Sequence, residues 1–281
     1  MKTARLVVVV ALLGLWPAAQ GARAEAGCDL AHITTVAVTP DIEYVDRDGL
    51  SLLLDLYEPA TPATEPRPAI VFAHGGGFTG GSKCDEGIVQ MAVTFADMGY
   101  VTVSIDYRVD PGLGYEELIV GSLAGQMPEA MRNAQLDMQA AVRWVRSNAE
   151  DLSVDPSTIS AGGISAGASM ALEAAFNPDD DEDPSDSSIA AAISESGATD
   201  PRRIEMGAPP VAMFNGTHDT TAPYPTAIMA CGAATVLQNV CELTTYPGAG
   251  HSLADHRVDI IALSADFLCR HGVGICLVSP Y

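Results

Sequence analysis

The sequence contains very little positive charge. Of its 281 residues only Lys2 and Lys83 are lysines, and the formal net charge is -22 at pH 7. Nucleic acids and anionic membrane surfaces attract proteins through clusters of lysine and arginine. The charge therefore excludes both as partners on electrostatic grounds, and we interpret the acidic surface as serving solubility.

Also absent are internal repeats, heptad patterns and, after the first residues, any apolar run long enough to span a membrane. These absences exclude a repeat protein, a coiled coil and an integral membrane domain. The roughly 250 residues that remain fit one large domain.

Residues 1–24 have the features of a secretory signal peptide. Lys2 and Arg5 precede an apolar core over residues 6–16, and small residues lead to the predicted cleavage site at the end of the segment. This apolar core has only about half of the roughly 20 residues that a membrane-spanning helix needs. We therefore expect a secreted protein, extracellular or periplasmic, whose single domain spans residues 25–281.

Six cysteines in an exported chain indicate disulfide bonds. Two pairs are close enough in sequence to be joined across a short connection, which leaves the remaining two cysteines to each other. The predicted pairs are Cys231 with Cys241, Cys269 with Cys276, and Cys28 with Cys84. This pairing is one among the many connectivities that six cysteines allow.

Predicted strands and helices alternate along the rest of the chain. Apolar runs predict strands at 50–57, 69–73, 100–107, 158–162, 188–193, 211–215 and 242–246. Helical patterns predict helices at 86–98, 128–148, 224–237 and 252–269, and a further helix after the strand at 158–162. This alternation is typical of an α/β fold with a mostly parallel central sheet and helices on both faces.

Two segments stand outside this pattern. Residues 110–126 are glycine-rich without a clear period, and we expect them near the carboxyl ends of the strands, where open α/β sheets bind ligands. The acidic run at 179–186 lacks the Asp/Asn alternation and the glycine of a calcium loop. We interpret it as a solvated linker, with calcium binding as the alternative.

Residues 163–167 form a Gly-x-Ser-x-Gly pentapeptide. A β-prone apolar run precedes it and good helix formers follow, so Ser165 is predicted to lie on a sharp strand-to-helix turn. Small neighbours allow a strained backbone there, which projects the hydroxyl at the top of a sheet. Ser165 is the candidate nucleophile, and a purely structural turn is the competing interpretation.

A serine nucleophile needs a base to take its proton and a carboxylate to orient that base. His251 follows the last predicted strand in a glycine-containing loop, and Asp219 follows the strand at 211–215. Asp200, which also follows a strand, is the main competitor for the acid. His32, His256 and His271 are interpreted as surface or packing residues, and Asp255 and Asp259 are expected to face solvent. His218 is set aside as the base because it and the adjacent Asp219, on one loop, cannot easily act in series on the same serine.

The segment His74-Gly75-Gly76-Gly77-Phe78 directly follows the predicted strand at 69–73. Its glycines free backbone N–H groups to point at one oxygen, which predicts an oxyanion hole. A phosphate-binding loop is the competing interpretation, but the chain has neither G-K-[ST] nor a G-x-G-x-x-G that leads into a helix. We interpret His74 as a structural hydrogen-bonding residue.

Together these motifs resemble the α/β-hydrolase superfamily and, within it, carboxylesterases with an H-G-G-G motif. The resemblance covers nearly the whole chain after the signal peptide. Within these carboxylesterases, the chain is similar to the secreted bacterial esterases that include feruloyl and acetyl-xylan esterases. The segments that carry it are L-D-L-Y-E-P at 54–59, H-G-G-G-F-T-G-G-S-K at 74–83, S-I-D-Y-R at 104–108, Q-L-D-M-Q-A-A-V-R-W-V at 135–145, V-D-P-S-T-I at 154–159 and G-I-S-A-G-A at 163–168.

The resemblance implies a serine esterase that works through an acyl-enzyme without a cofactor or metal. It implies a triad in the chain order Ser165, Asp219 and His251. It also implies oxyanion donors in the backbone amides of Gly76, Gly77 and Ala166. Short acyl esters or plant-polysaccharide esters are the expected substrates, with a polymeric ester hydrolase, a serine peptidase or a non-catalytic binding relative as alternatives.

The chain departs from these relatives at two positions. Ile164 stands where many relatives carry Glu or Asp, and the sequence D-T-T-A-P after the acid lacks their valine. There is also no long insertion between the strand that ends near Ile193 and Asp219. We therefore expect no large lid.

Overall fold

A computed structural model describes residues 28–113, 127–176 and 185–276. The predicted signal peptide, most of the glycine-rich segment 110–126 and most of the acidic run lie outside these ranges. The cleavage site and the choice between linker and calcium loop therefore stay predictions.

An eight-stranded sheet forms the centre of the described chain, in the order β1-β2-β4-β3-β5-β6-β7-β8. The strands are β1 (Val36–Arg47), β2 (Leu50–Pro59), β3 (Arg67–Ala73), β4 (Val101–Ile105), β5 (Val154–Ile164), β6 (Ala192–Glu195), β7 (Val211–Gly216) and β8 (Cys241–Tyr246). β2 pairs antiparallel with both of its neighbours, β1 and β4, and all the other pairings are parallel. The prediction of a mostly parallel sheet is confirmed.

The described helices are α1 (Glu86–Asp97), α2 (Glu129–Ser147), α3 (Ala166–Phe176), α4 (Tyr224–Val236) and α5 (Arg257–Arg270). Alternating strand residues separate two cores: side chains such as Val71 and Met213 pack with α2, α3 and α4, whereas Phe72 and Phe214 pack with α1 and α5. The sheet is thus covered on both faces, as predicted. Within the described ranges no helix is long and apolar enough to span a membrane.

Three elements differ most from the sequence prediction. The strand predicted at 188–193 is displaced along the chain to β6 at Ala192–Glu195. β1 was not predicted because Pro40 and Asp41 interrupt its alternation, and the strand accommodates them through a register shift with Asp41 at a φ of 57°. The last helix begins at Arg257 instead of residue 252, since the intervening chain forms a short 3-10 turn at Ala254–His256. Apolar periodicity does not reveal turn residues inside a strand or a 3-10 turn just before a helix.

All three predicted disulfide bonds are present. Cys28–Cys84 ties the start of the described chain to the segment after the glycine loop, Cys231–Cys241 joins α4 to β8, and Cys269–Cys276 holds the segment after α5. Disulfide bonds persist in oxidising compartments, so the pairing indicates such an environment.

Removal of the Cys28–Cys84 bond by paired Cys→Ala substitutions should destabilise the protein more than removal of Cys269–Cys276. The first bond spans a sequence separation of 56 and the second a separation of 7. Loop-closure entropy then gives about 4 kcal/mol for the first and about 2.5 kcal/mol for the second. Urea unfolding of both double variants measures the difference, and an equal or reversed order would contradict this ranking.

Candidate active site

Ser165 lies on the turn between β5 and α3. Its φ of 55° is in the left-handed region, which non-glycine residues rarely adopt. The Ser165 N–H donates to the carbonyl oxygen of Glu195 at 2.8 Å, and the Ser165 carbonyl oxygen accepts from Ser169 N–H at 2.9 Å. The strained strand-to-helix turn is therefore formed, with the strain on the serine itself.

The two glycines of the pentapeptide make room for the end of β3. A Cβ on Gly163 would lie 2.6 Å from the carbonyl oxygen of Ala73, and a Cβ on Gly167 would lie 2.0 Å from the same oxygen. The Gly167 N–H donates to the His74 carbonyl oxygen at 3.0 Å. Neither glycine has a positive φ. They are required by the close approach of two backbones and not by their own conformation.

The structure brings Ser165, His251 and Asp219 together. His251 Nε2 lies 2.8 Å from Ser165 Oγ, and His251 Nδ1 lies 2.8 Å from Asp219 Oδ2. The Asp219 side chain is fully buried, whereas the His251 side chain is 28% exposed. The second carboxylate oxygen of Asp219 accepts from the N–H groups of Thr221 and Ala222 at 2.9 and 3.0 Å. The carboxylate is thus oriented by its own loop.

Asp200, the main competitor for the acid, is engaged elsewhere. It caps the short 3-10 turn Pro201–Arg203 and forms an ion pair with Arg202 at 2.6 Å. The hydrogen bond from Arg202 lowers the pKa of the Asp200 carboxyl below its usual value. Asp200 is therefore a turn-stabilising residue.

The competing histidines likewise have other surroundings. His218 donates its backbone N–H to Ala249, His256 stacks on Tyr246, and His271 lies 3.4 Å from Glu242. His32 is exposed. These placements agree with the interpretation of His32, His256 and His271 as surface or packing residues, and His218 is likewise not the residue that contacts Ser165.

The glycine loop is held by His74 and Tyr107. The His74 ring is buried and stacks on Tyr107, with ring centroids 4.2 Å apart, and its Nδ1 lies 2.6 Å from the Gly75 carbonyl oxygen. The Tyr107 hydroxyl donates to the carbonyl oxygens of His74 at 3.0 Å and Gly75 at 3.3 Å. Burial raises the pKa of Tyr107 far above its usual value, so the hydroxyl remains a donor.

Two of the three predicted oxyanion donors, Gly76 and Gly77, lie in a loop that requires glycine, and the third, Ala166, begins α3. Gly76 has a φ of 114° and Gly77 a φ of 62°, and a Cβ on Gly76 would lie 2.0 Å from the Gly80 carbonyl oxygen. Within the described part of the chain, the N–H groups of Gly76, Gly77 and Ala166 donate to no protein acceptor. They are available to a bound oxygen atom.

Lys83 anchors the far end of this loop. Its side chain is 4% exposed and lies 2.7 Å from Asp55 and 2.8 Å from Asp41, while its backbone N–H donates to Asp106 at 2.8 Å. Burial lowers the pKa of the Lys83 ammonium, but hydrogen bonds to Asp41 and Asp55 outweigh burial, and the pKa is raised overall. The next residue, Cys84, is fixed by its disulfide bond.

The sequence interpretation missed residues that support the candidate triad from outside it. Ser196 Oγ donates to the carbonyl oxygen of His251 at 2.8 Å. Glu195 and Arg257 form a buried ion pair at 2.7 Å. The only available signal was a pair of polar residues, Glu195 and Ser196, just after a predicted strand.

One group of potential metal ligands occurs among the described residues, formed by Cys28, Asp55 and Cys84. Both cysteines are joined in a disulfide bond and offer no thiolate. This group therefore does not make a metal site.

A family model described as BD-FAE matches residues 54–207, which include the glycine loop and the pentapeptide. The chain belongs to the BD-FAE family. Its similarity to known structures extends further along the chain. Thermogutta terrifontis esterase 2, solved with butyrate bound, is 26% identical, with a TM-score of 0.74 over 88% of this chain and 98% of that chain. The α/β-hydrolase fold is thereby confirmed for this BD-FAE member.

Curated relatives match this BD-FAE member over part of their length. Fumonisin B1 esterase from Sphingopyxis macrogoltabida is 31% identical over 167 residues, and Esterase LipC from Mycobacterium tuberculosis is 29% identical over 133 residues. These matches cover 56% and 47% of the chain, respectively, and 29% of each relative. The chain therefore spans less than a third of these curated proteins.

Tyr107→Phe should reduce kcat/KM for p-nitrophenyl acetate by about tenfold, because the glycine loop loses its hydroxyl anchor while ring stacking is kept. The free energy of unfolding should fall by about 1 kcal/mol. Tyr57→Phe is the matched control: Tyr57 is also buried, and its hydroxyl lies 3.5 Å from Ser104 on the neighbouring strand. This control should keep wild-type kcat/KM. An equal loss of activity in both variants would refute the specific role of Tyr107.

Proposed function

We propose that this protein is a serine carboxylic-ester hydrolase. The observation that carries the proposal is the chain of two 2.8 Å contacts from Ser165 Oγ through the His251 ring to Asp219. A hydroxyl, an imidazole and a buried carboxylate in this order form the arrangement that activates a serine. Membership of the BD-FAE family and similarity to proteins named as esterases support the same activity.

In the proposed reaction, Ser165 Oγ attacks the ester carbonyl carbon while His251 Nε2 takes the hydroxyl proton. The resulting tetrahedral intermediate collapses when His251 returns that proton to the leaving alcohol, which gives an acyl-enzyme. Water then attacks the acyl group by the same route and regenerates the free serine. Neither step requires a cofactor or metal.

Asp219 has two tasks in this scheme. Its Oδ2 accepts from His251 Nδ1–H and so holds the imidazole in the tautomer that leaves Nε2 free to take the serine proton. Its negative charge stabilises the imidazolium that forms during the reaction. Because the Thr221 and Ala222 amides bind Oδ1, the other oxygen remains aimed at the histidine.

The charge on the intermediate would be stabilised by the N–H groups of Gly76, Gly77 and Ala166. Their lack of protein acceptors among the described residues supports this role. Preorganised donors of this kind each contribute about 3 to 4 kcal/mol to the transition state. The hydrogen bond from Gly167 to His74 and the anchoring by Tyr107 keep the loop beside Ser165 before substrate arrives.

Short acyl esters are the proposed substrates, and acetyl or feruloyl esters of plant polysaccharides extend the proposal. Thermogutta terrifontis esterase 2, whose structures include butyrate-bound and propionate-bound forms, supports the preference for short chains. The described connection from β6 to Asp219 contains only a short 3-10 turn and β7, with no large insertion. This supports a site without a large lid in that connection, which also accommodates the bulky alcohol side of a polysaccharide ester.

Initial rates on p-nitrophenyl acetate, butyrate, octanoate and palmitate, together with methyl ferulate, test both activity and substrate class. Acetate and butyrate should dominate. Ser165→Ala should reduce turnover by about a million-fold and abolish labelling by a fluorophosphonate probe. Ser160→Ala removes a buried hydroxyl without a described partner on the same strand and should retain activity. A Ser165→Ala variant with a tenth of wild-type activity would overturn the assignment.

Export is proposed from the N-terminal segment and the three disulfide bonds. The signal peptide should be removed after Ala24 when the protein is produced in a secreting host. N-terminal sequencing of the secreted protein should therefore begin at Glu25. Recovery of a chain that retains Met1, confined to the cytoplasm, would contradict export.

A further inference from the structure

Glu195 and Ser196 are adjacent residues at the carboxyl end of β6. Glu195 contacts the candidate nucleophile Ser165, and Ser196 contacts the candidate base His251. We infer that Ser196 is a positioning residue for the reaction, which holds the backbone of His251 so that its ring meets Ser165. This inference rests on the proposed function. It assigns Ser196 no contact with the substrate.

The contact is direct and buried. Ser196 is 1% exposed, and its hydroxyl donates to the His251 carbonyl oxygen at 2.8 Å. Its own N–H donates to Phe214 on β7 at 2.8 Å, so the serine is fixed from its backbone as well. A donor in this place ties the main chain of the base to the central sheet.

Ser196 also adopts an unfavourable backbone conformation. Its φ is 57°, close to the 55° of the candidate nucleophile. Left-handed conformations at non-glycine residues cost about 1 kcal/mol or more and cluster at functional sites. A glycine would remove this cost, but it would also remove the hydroxyl that reaches His251.

The neighbouring residue holds the nucleophile. The carbonyl oxygen of Glu195 accepts from Ser165 N–H at 2.8 Å, and the carboxylate of Glu195 accepts from Arg257 at 2.7 and 3.2 Å. Arg257 is the first residue of α5, just after the His251 loop. One dipeptide therefore ties together the serine turn, the base and the helix that follows the base.

The loop before His251 needs such a tie because it contains Gly248 at a φ of 80° and Gly250. Two hydrogen bonds fix its earlier part: His218 N–H donates to Ala249, and Gly248 N–H donates to Thr217 Oγ1, both at 2.9 Å. In the described ranges, Ser196 supplies the hydrogen bond to the main chain of His251 itself. Among the described residues, the other hydrogen bonds of His251 are those of its two ring nitrogens.

Ser196→Ala and Ser196→Gly together test the inference. Alanine keeps the strained backbone and glycine relieves it, while both remove the hydroxyl. A displacement of the base by about 1 Å lowers the rate by about 10- to 100-fold, so kcat should fall by this factor in both variants, with KM changed by less than about twofold. Ser194→Ala on the same strand, whose buried hydroxyl has no described partner, should keep wild-type kcat.

The His251→Ala background distinguishes positioning from general structural support. If Ser196 acts through His251, adding Ser196→Ala to His251→Ala should leave the residual rate on p-nitrophenyl acetate unchanged. A further loss by the same factor as in the wild-type background would overturn the inference, as would wild-type kcat in Ser196→Ala or Ser196→Gly. A wild-type protein that hydrolyses no ester would instead refute the proposed function.

Discussion

The close approach of two backbones at the end of β3 is the constraint on which the rest of the site depends. The carbonyl of Ala73 passes so near Gly163 and Gly167 that no side chain fits at either glycine. The same approach places the glycine loop directly beside Ser165 and lets Gly167 donate to His74. The same contact between β3 and the turn after β5 therefore positions both the candidate nucleophile and the glycine loop. This contact forms when the two strands pair.

Buried ion pairs fix the loops that surround this contact between β3 and the Ser165 turn. A buried carboxylate is destabilising unless hydrogen-bond donors meet it, as for Asp219, or a cation does. Three buried carboxylates are paired in this way: Asp55 with Lys83, Asp137 with both Arg108 and Arg47, and Glu195 with Arg257. Each connects a different segment to the framework. The lysine and arginine side chains of these pairs therefore hold the loops in one arrangement.

Patterns of neighbouring residues predicted those features that depend on neighbouring residues, namely the helices, the strands and the Ser165 turn. The apolar periodicity gave the parallel strands and their helices, and the glycine spacing located Ser165 because a tight turn has a recognisable sequence. Asp219 and Asp200 could be compared only by position, since both follow strands; the course of each loop decides which carboxylate meets His251. The position of Ser196 after a strand was too weak a signal to assign its role, because that role depends on a hydrogen bond to a residue 55 positions away.

The burial of Lys83 also determines how the folded protein reacts with reagents that modify amines. It is the only lysine within the described ranges, and two carboxylates enclose its ammonium. Its raised pKa keeps the amine protonated and therefore non-nucleophilic. Reagents that acylate lysine have no accessible target across these ranges, whereas surface carboxylates are plentiful. Within the described ranges, amine-directed acylation would therefore leave the glycine loop and its anchor undisturbed.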